Sequence, residues 1–538
     1  MPAYHYQPFD YVRPKGLDGE ESRHKVAIIG AGPIGLALAI DLAQKGVPSV
    51  VLDDNNVVSV GSRAICWAKR TLEIFDRLGI GEKMLAKGVT WKTGRLFHGA
   101  DEVYHFDLLP EAGHKYPAFI NLQQYYVEEY LVERAGDFPD LIDLRFKNKV
   151  TAHEDCGDHV RLDIETPDGA YHLEADYVVA CDGARSPTRE RMGLSFEGET
   201  FDEQFLIIDV EMEESPFGTE VPERWFWFKP PFHHGQSALL HRQPDNLYRI
   251  DLQLGPGADA KAEADEAEVI PRIKAIVGDR PFRLDWMSVY RFRCAMLERF
   301  VHNRMIFCGD SAHIVSPFGA RGGNGGIQDV DNLGWKLAAI LKGDAAPALL
   351  ESYDEERQHA ARENILNSSR ATNFMTPKSA IDNAFRDEVL RMAADLPFAR
   401  TLINSGRLSV PCSLAGFPLQ TARDDAPLAT GSAFKDAPLK GPDGTVFLSD
   451  LIEDTFTLLA IGAIAPPALS GVKVLRIGDD SDYRDEDGLL KARYGQDLIY
   501  LFRPDGHVAA VFDDTNKAGI EDALLRAKGL IAEREAAE

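Results

Sequence analysis

Three glycine-bearing segments of this chain have residue types and spacing suited to holding a phosphate-linked cofactor. The first is Gly30-Ala31-Gly32-Pro33-Ile34-Gly35. In such a turn the first glycine permits the bend and the second lets backbone approach a pyrophosphate. The third lets a helix pack on a strand. The helix N-terminus then offers free N–H groups and its dipole to the anion. Asp53, with Asp54 beside it, follows where an acid accepts hydrogen bonds from a ribose. The second segment runs Cys181-Asp182-Gly183-Ala184-Arg185-Ser186-Pro187-Thr188-Arg189. The third is Cys308-Gly309-Asp310-Ser311-Ala312-His313, continued by Pro317, Gly319 and Gly322-Gly323-Asn324-Gly325-Gly326. Asp310 is positioned for a ribityl hydroxyl, and the glycines after it free backbone N–H groups for a flavin ring and a pyrophosphate.

The elements around these segments agree with that reading. Residues 26–29 are a short apolar run, 36–43 have helical spacing, and 50–52 are a second apolar run. This is a strand, turn, helix, strand unit. The second and third segments each follow a buried-type strand, at 177–180 and 305–308. Helices are expected at 71–78, 124–135 and 332–341, and a hairpin around Pro167-Asp168-Gly169. Residues 200–255 alternate as strands that wall a pocket, and 258–268 read as a solvated helix or loop. Residues 1–23 read as an extended arm.

The 538 residues carry a net charge of −26, which disfavours nucleic acid and anionic lipid as partners. The six cysteines form no CxxC pair, and no metal site is expected. Residues 1–25 hold no apolar signal core, and the uncharged stretch 455–472 is broken by Gly462, Pro466 and Pro467. A cytoplasmic protein without a membrane span is the expectation. A homodimer is the default assembly.

The three motifs in this order resemble those of the single-component FAD-dependent aromatic hydroxylases of the p-hydroxybenzoate and phenol hydroxylase type, over about residues 24–365. Residues 446–538, around Tyr494-Gly495 and Arg503-Pro504-Asp505-Gly506-His507, resemble the thioredoxin-like C-terminal domain of the phenol hydroxylase branch. The fold implied is α/β: a Rossmann-like FAD-binding domain with an interleaved β-sheet substrate domain, then a thioredoxin-like domain. A discontinuous FAD domain would span 24–400, with substrate segments at about 91–120 and 190–285 and a linker at 401–445. The last domain has no cysteine, which excludes dithiol chemistry there.

The resemblance also implies roles. NADH or NADPH reduces FAD, and O2 adds to the reduced flavin as a C4a-hydroperoxide that donates OH to an electron-rich ring. By motif, Arg63, Arg70 and Gln124 lie near the FAD, with Gln123 the off-by-one competitor. Asp182 and Arg185 serve FAD and the nicotinamide donor. The Pro317 carbonyl approaches flavin and substrate. A phenolic substrate needs a partner for its proton. Trp225, Trp227, His233, His234, His241, Tyr248 and Tyr290 are the candidates in the β-rich segment, and Arg249 is a candidate for flavin movement or for a substrate carboxylate. Tyr290, Arg249 and His241 are the preferred candidates for catalysis. A flavoprotein oxygenating a polyketide or alkene, and a redox-inactive FAD-binding protein, are the alternatives. Trp225-Phe226-Trp227-Phe228-Lys229-Pro230 resembles the WxWxIP signature of flavin halogenases, but Lys229 replaces its isoleucine.

Overall fold

The computed structural model describes residues 4–530 except 21, 62–63, 109–110, 234, 256, 318, 404–408, 424 and 453. Two expected site residues, Arg63 and His234, therefore lie outside the described residues.

The first sheet has eight strands. Its centre is Arg23–Ile29, whose last four residues are buried. Apolar runs of this kind suit a parallel strand covered on both faces. Arg23–Ile29 runs parallel to Gly169–Ala180 on one side and Ser49–Leu52 on the other. Met305–Phe307 extends the parallel set beyond Gly169–Ala180. The register pairs Ile29 with both Leu52 and Ala180, and Ala180 with Phe307. Asp53 and the three motif segments thus leave the sheet side by side at its carboxyl edge. Helices Pro33–Gln44 and Gly322–Lys342 cross so closely that a Cβ on Gly334 would stand 1.8 Å from Asp41 Oδ2.

The second sheet also has eight strands, from His313–Ile314 through Arg283–Met296, Glu197–Glu211, Leu247–Gln253, Ala238–Arg242, Glu223–Phe228 and Thr93–His98 to Asp101–Asp107. It runs past the expected boundary at 285 to Met296. Residues 119–121 belong instead to a small three-stranded sheet with 66–68 and 89–90. The segment 258–268 holds no buried residue, as expected, and helix Glu266–Val277 continues beyond it to bury Val269, Ile273 and Val277 against the second sheet. Helix Ala380–Asp395 buries Val389, Leu390 and Ala393 against the other face.

The C-terminal unit is a four-stranded mixed sheet in the order Lys473–Ile477, Thr457–Ile461, Leu498–Phe502, Val508–Phe512, with helix Lys517–Ala527, a thioredoxin-like arrangement. The expected start at 446 falls inside the hairpin Pro438–Gly441/Gly444–Phe447. The expected linker 401–445 is likewise corrected. From Leu414 onward this segment hydrogen-bonds the unit, through Thr421 N to Ala509 O, Gly431 N to Val508 O and Phe434 N to Gly506 O. Leu428, Phe434 and Ala437 fill its core, which a Pro- and Gly-rich composition conceals.

A buried charge network docks this unit on the FAD-domain helices. Arg503 grips Glu356 at 2.6 and 2.9 Å and also pairs with Asp505. Lys336 Nζ meets the same Glu356 carboxylate at 2.8 Å. Arg70 donates to Asp331 at 2.8 Å and to the Asp505 carbonyl at 2.7 Å. Burial alone would raise the Glu356 carboxyl, but Arg503 and Lys336 outweigh it and hold it well below the usual range. Burial pushes the Lys336 ammonium down to about 8 against the pull of Glu356.

Removing one partner of a buried pair leaves a charge without compensation, which costs roughly 3–5 kcal/mol. Arg503→Met is expected to lower urea stability by about that amount, read from the denaturation midpoint at unchanged slope. The depressed Glu356 pKa implies stability that is full above its ordinary value of 4.5 and lost as pH falls below it. Urea midpoints measured down through this range are expected to fall less steeply in Glu356→Gln than in the wild type.

Candidate active site

The turn at Gly30 is built for backbone approach. Gly30 has φ +106°, and a Cβ there would stand 2.6 Å from the Cys181 carbonyl oxygen. A Cβ at Gly35 would stand 1.9 Å from the Gly30 carbonyl. Gly32 differs: a Cβ there meets nothing within 4 Å. It is the N-cap of Pro33–Gln44 and makes no side-chain cap bond, so the helix N-terminus opens on free space. Asp53 is fixed at this edge by Ala31 N–H at 2.6 Å and Asn55 N–H at 2.8 Å. Burial pushes its carboxyl up, and these two N–H groups oppose the rise. Asp54 is exposed.

The second and third motifs close around the same space. Asp182 Oδ2 accepts the Thr188 N–H at 3.0 Å, while Oδ1 is buried with no protein partner. Gly183 sits at φ +78° with open space around it, and Arg185 is exposed. Arg189 donates to the Ser311 and Ala184 carbonyls, tying the two motifs together. Ile34 of the first motif wedges against the third: a Cβ on Gly309 would lie 3.0 Å from it, and one on Gly326 2.6 Å. Asp329 accepts the Gly309 N–H at 3.0 Å and meets His313 and Arg357, each at 2.6 Å. Asp310 remains exposed at the lip. Cβ atoms on Gly322 and Gly323 would make only ordinary contacts, leaving that helix start approachable. The orphaned Asp182 oxygen, the open glycines and the bare helix N-terminus fit a dinucleotide such as FAD.

Several expected contacts fall elsewhere. Arg70 is buried and its guanidinium is spent on Glu73, Asp331 and the Asp505 carbonyl, so it docks the C-terminal unit and leaves no free fork for phosphate. The Asn324 side chain bridges Ala68 N–H and the Cys66 and Ala320 carbonyls. It positions the strand Cys66–Ala68, and only its backbone remains for a cofactor. The Gly325 carbonyl accepts from Arg357, and a Cβ there would lie 3.4 Å from His313, on the inner side of the helix. The Pro317 carbonyl closes a turn by accepting from Ala320 N–H. Gln124 accepts from Ala64 N–H and donates to Ser59 and Glu128. Gln123 is buried and donates to the Pro244 carbonyl.

One face of the second sheet bears a polar row. The register aligns Arg224, His241, Arg249, Asp209 and Trp286 across five strands. The adjacent row on the same face is Phe226, Leu239, Asp251, Ile207 and Ser288, and Tyr290 lies one row further. Arg224 Nη1 reaches Cys66 Sγ at 3.5 Å, and a Cβ on Gly61 would press on Trp286. The row therefore faces the loop that leads from Asp53 past the dinucleotide turn. Arg249 is a correction: Asp209 holds it bidentately at 2.8 and 2.7 Å, so it is unavailable to a substrate carboxylate. His241 is buried with both ring nitrogens unpartnered, 3.9 Å from Asp251. Burial, then Arg224 and Arg249, push its pKa well down, so the imidazole is neutral. Burial raises Asp251 to about 6 against the two arginines. Trp225, Trp227 and Tyr248 point to the opposite face, in the core beneath Glu266–Val277. His233 is buried against the Gln253 carbonyl. Sequence reasoning passed over Arg224 and Asp251; strand alternation around Trp225 held the signal for the first.

The site and fold define a dinucleotide-binding α/β protein with a second eight-stranded sheet. Residues 23–368 match the FAD binding domain family. The chain is 30% identical over 521 residues to the 12-dehydrotetracycline 5-monooxygenase/anhydrotetracycline 6-monooxygenase of Streptomyces rimosus, covering 93% of this chain and 98% of that one. It is 30% identical over 380 residues to a 3-(3-hydroxy-phenyl)propionate/3-hydroxycinnamic acid hydroxylase of Klebsiella pneumoniae, covering 69% and 66%. The solved flavin-dependent monooxygenase PieE superposes with a TM-score of 0.79 at 24% identity, covering 94% and 99%, which is a likeness of fold. The chain belongs to this FAD-binding family and is an FAD-dependent monooxygenase. No helix among the described residues is long and apolar enough to cross a membrane, and no metal cluster occurs among them.

Because Gly32 faces open space, Gly32→Val is expected to fold but to block the pyrophosphate. The purified variant should be colourless with a near-wild-type far-UV spectrum, whereas full flavin retention would remove this turn from the site.

Proposed function

We propose that this enzyme hydroxylates a phenolic aromatic ring, taking electrons from NADH or NADPH and oxygen from O2. The observation that carries the reading is the buried pair His241 and Asp251 on the sheet face opposite the motif edge. Bound FAD supplies the redox chemistry and the oxygen transfer. The chain's own residues bind, orient and manage the proton.

Neutral His241 presents a ring nitrogen that accepts a hydrogen bond from a phenol O–H. Asp251, 3.9 Å away and ionising near 6, takes up or releases a proton close to neutral pH. The Arg249–Asp209 pair ties the strand that carries Asp251 to its neighbour Glu197–Glu211. Phe226, Leu239 and Ile207 give the ring an apolar surface on the same face. Gly30, Gly32, Gly35, Asp53, Asp182, Gly183, Gly309, Asp310, Gly322 and Gly323 are the proposed FAD contacts, with Arg185 at the exposed lip for the nicotinamide donor. The alternative of a polycyclic polyketide substrate is favoured by one observation. The Streptomyces rimosus relative aligns over nearly its whole length, the phenylpropionate hydroxylase over two thirds.

The test is NAD(P)H oxidation by the yellow protein with a panel of substituted phenols, peroxide followed in parallel. One phenol should stimulate oxidation with little peroxide released. His241→Phe should cut its coupled turnover by about 100-fold, the lower range for a lost proton partner, while flavin content stays full. Stimulation by fused-ring polyketides alone would replace the phenol with that substrate.

A further inference from the structure

Residues 5–14, ahead of the first sheet, have no regular secondary structure, yet their aromatic side chains are pinned to the body of the protein. The Tyr4 hydroxyl donates to Glu129 at 3.1 Å, and the Tyr4 ring stacks on Tyr125 at 4.1 Å. Tyr6 packs edge-on against both rings, at 4.9 and 5.8 Å. Its hydroxyl accepts the Gly61 N–H at 3.0 Å. Phe9 stacks on Phe146 at 4.7 Å, and its N–H donates to the Asn56 carbonyl at 2.7 Å. Asn56 Nδ2 returns a bond to the Phe9 carbonyl at 2.9 Å. The arm thus holds the loop that follows Asp53 at two points, Asn56 and Gly61.

That loop runs from the strand edge to both neighbouring parts of the site. At its far end Gly61 has φ +72°, and a Cβ there would stand 2.5 Å from Trp286 Cε2 on the second sheet. Ala64, just beyond, lies 3.6 Å from where a Cβ on Gly323 would stand, at the helix start of the third motif. Glu128 fixes the middle of the loop, accepting from Ser59 N–H at 2.5 Å and Ser59 Oγ at 2.7 Å. Gly61 is buried, so its N–H needs a partner, and the Tyr6 hydroxyl meets it. A buried donor left without an acceptor costs its full desolvation, so removing that hydroxyl drives the loop to shift. The ring contacts of Tyr6 with Tyr4 and Tyr125 do not depend on the hydroxyl.

We propose that Tyr6 is a positioning residue for the flavin: its hydroxyl holds Gly61, and through Gly61 the loop between the third motif and the second sheet, so that the N-terminal arm sets how FAD is seated. This rests on the reading of the strand edge as the FAD site. Tyr6 acts through the loop and not on a reacting atom. Tyr11 supplies the contrast within the same arm, because its hydroxyl donates at 3.2 Å to Asp168 on the exposed surface.

The experiment uses the FAD-loaded enzyme as wild type, Tyr6→Phe and Tyr11→Phe, with Gly32→Val prepared alongside. Three quantities are read: the rate of FAD release, from the recovery of flavin fluorescence on dilution; the visible circular dichroism of the bound flavin; and the urea midpoint. Tyr6→Phe keeps the ring and loses only the acceptor. It is expected to release FAD about 10-fold faster, the size of one orphaned donor. Its flavin dichroism should differ from wild type at saturating FAD, while its urea midpoint does not. Tyr11→Phe should match the wild type in all three. Wild-type release and dichroism in Tyr6→Phe overturn the proposal. So does an equal change in Tyr11→Phe, or a change that only follows a fallen urea midpoint. Full flavin retention by Gly32→Val removes the strand edge as the FAD site, and the Tyr6 assignment with it. Loss of flavin in Gly32→Val with wild-type behaviour in Tyr6→Phe removes the Tyr6 assignment alone.

Discussion

Ile29, Leu52, Ala180 and Phe307 end level with one another because parallel strand pairs hold a single register. Segments from four distant parts of the chain therefore reach the same carboxyl edge. A shift of one residue in any pair would turn its side chains to the opposite face and carry its motif out of line. Ligands of open α/β sheets bind outside this edge, where the turns leave backbone N–H groups free. The glycines and acids that suit FAD matter only because the register brings them together.

Two buried polar clusters keep that edge fixed. Asp329 ties the Gly309 turn to His313 and Arg357, and Arg357 reaches on to the Gly325 carbonyl. Glu356, the residue before Arg357, carries the second cluster, where Arg503 and Lys336 converge. One helix, Leu349–Met375, thus braces the third motif with one residue and receives the C-terminal unit with its neighbour. The C-terminal unit meets this helix through Arg503 and has no cysteine. Its Arg503-Pro504-Asp505 segment is a docking plug: Arg70 and Arg77 receive its carbonyls, and Asn332 and Trp335 donate to Asp505.

Much of the fold was legible in the sequence because its signals are local. The strand-turn-helix pattern around Gly30 and the helix Gln124–Ala135 stand where their spacing puts them. The face of the second sheet was not legible. Both faces of Glu223–Phe228 are covered, so alternation near Trp225 and Trp227 cannot say which set of side chains meets the substrate. The tryptophans point into the core, while Arg224 between Glu223 and Trp225 lies on the face that bears the polar row. Arg70 and Arg249 were misread for another reason. An arginine near a motif looks like a cofactor ligand until its distant partner is known, and Asp331, Asp505 and Asp209 are 40 or more residues away. The segment 414–437 reads as a linker because its few apolar residues are spread thinly, yet Leu428, Phe434 and Ala437 enter a core built mostly by another part of the chain.

The central claim is that FAD bound at the strand edge stands across one pocket from the row of Arg224, His241 and Asp251. A crystal structure of the FAD-loaded enzyme with an aromatic ligand tests it most directly. The expected result places the pyrophosphate over Gly32 and the ligand between the flavin ring and that row, touching both. Flavin bound away from this edge, or a ligand on the opposite face of the sheet beside Trp225 and Trp227, would contradict it.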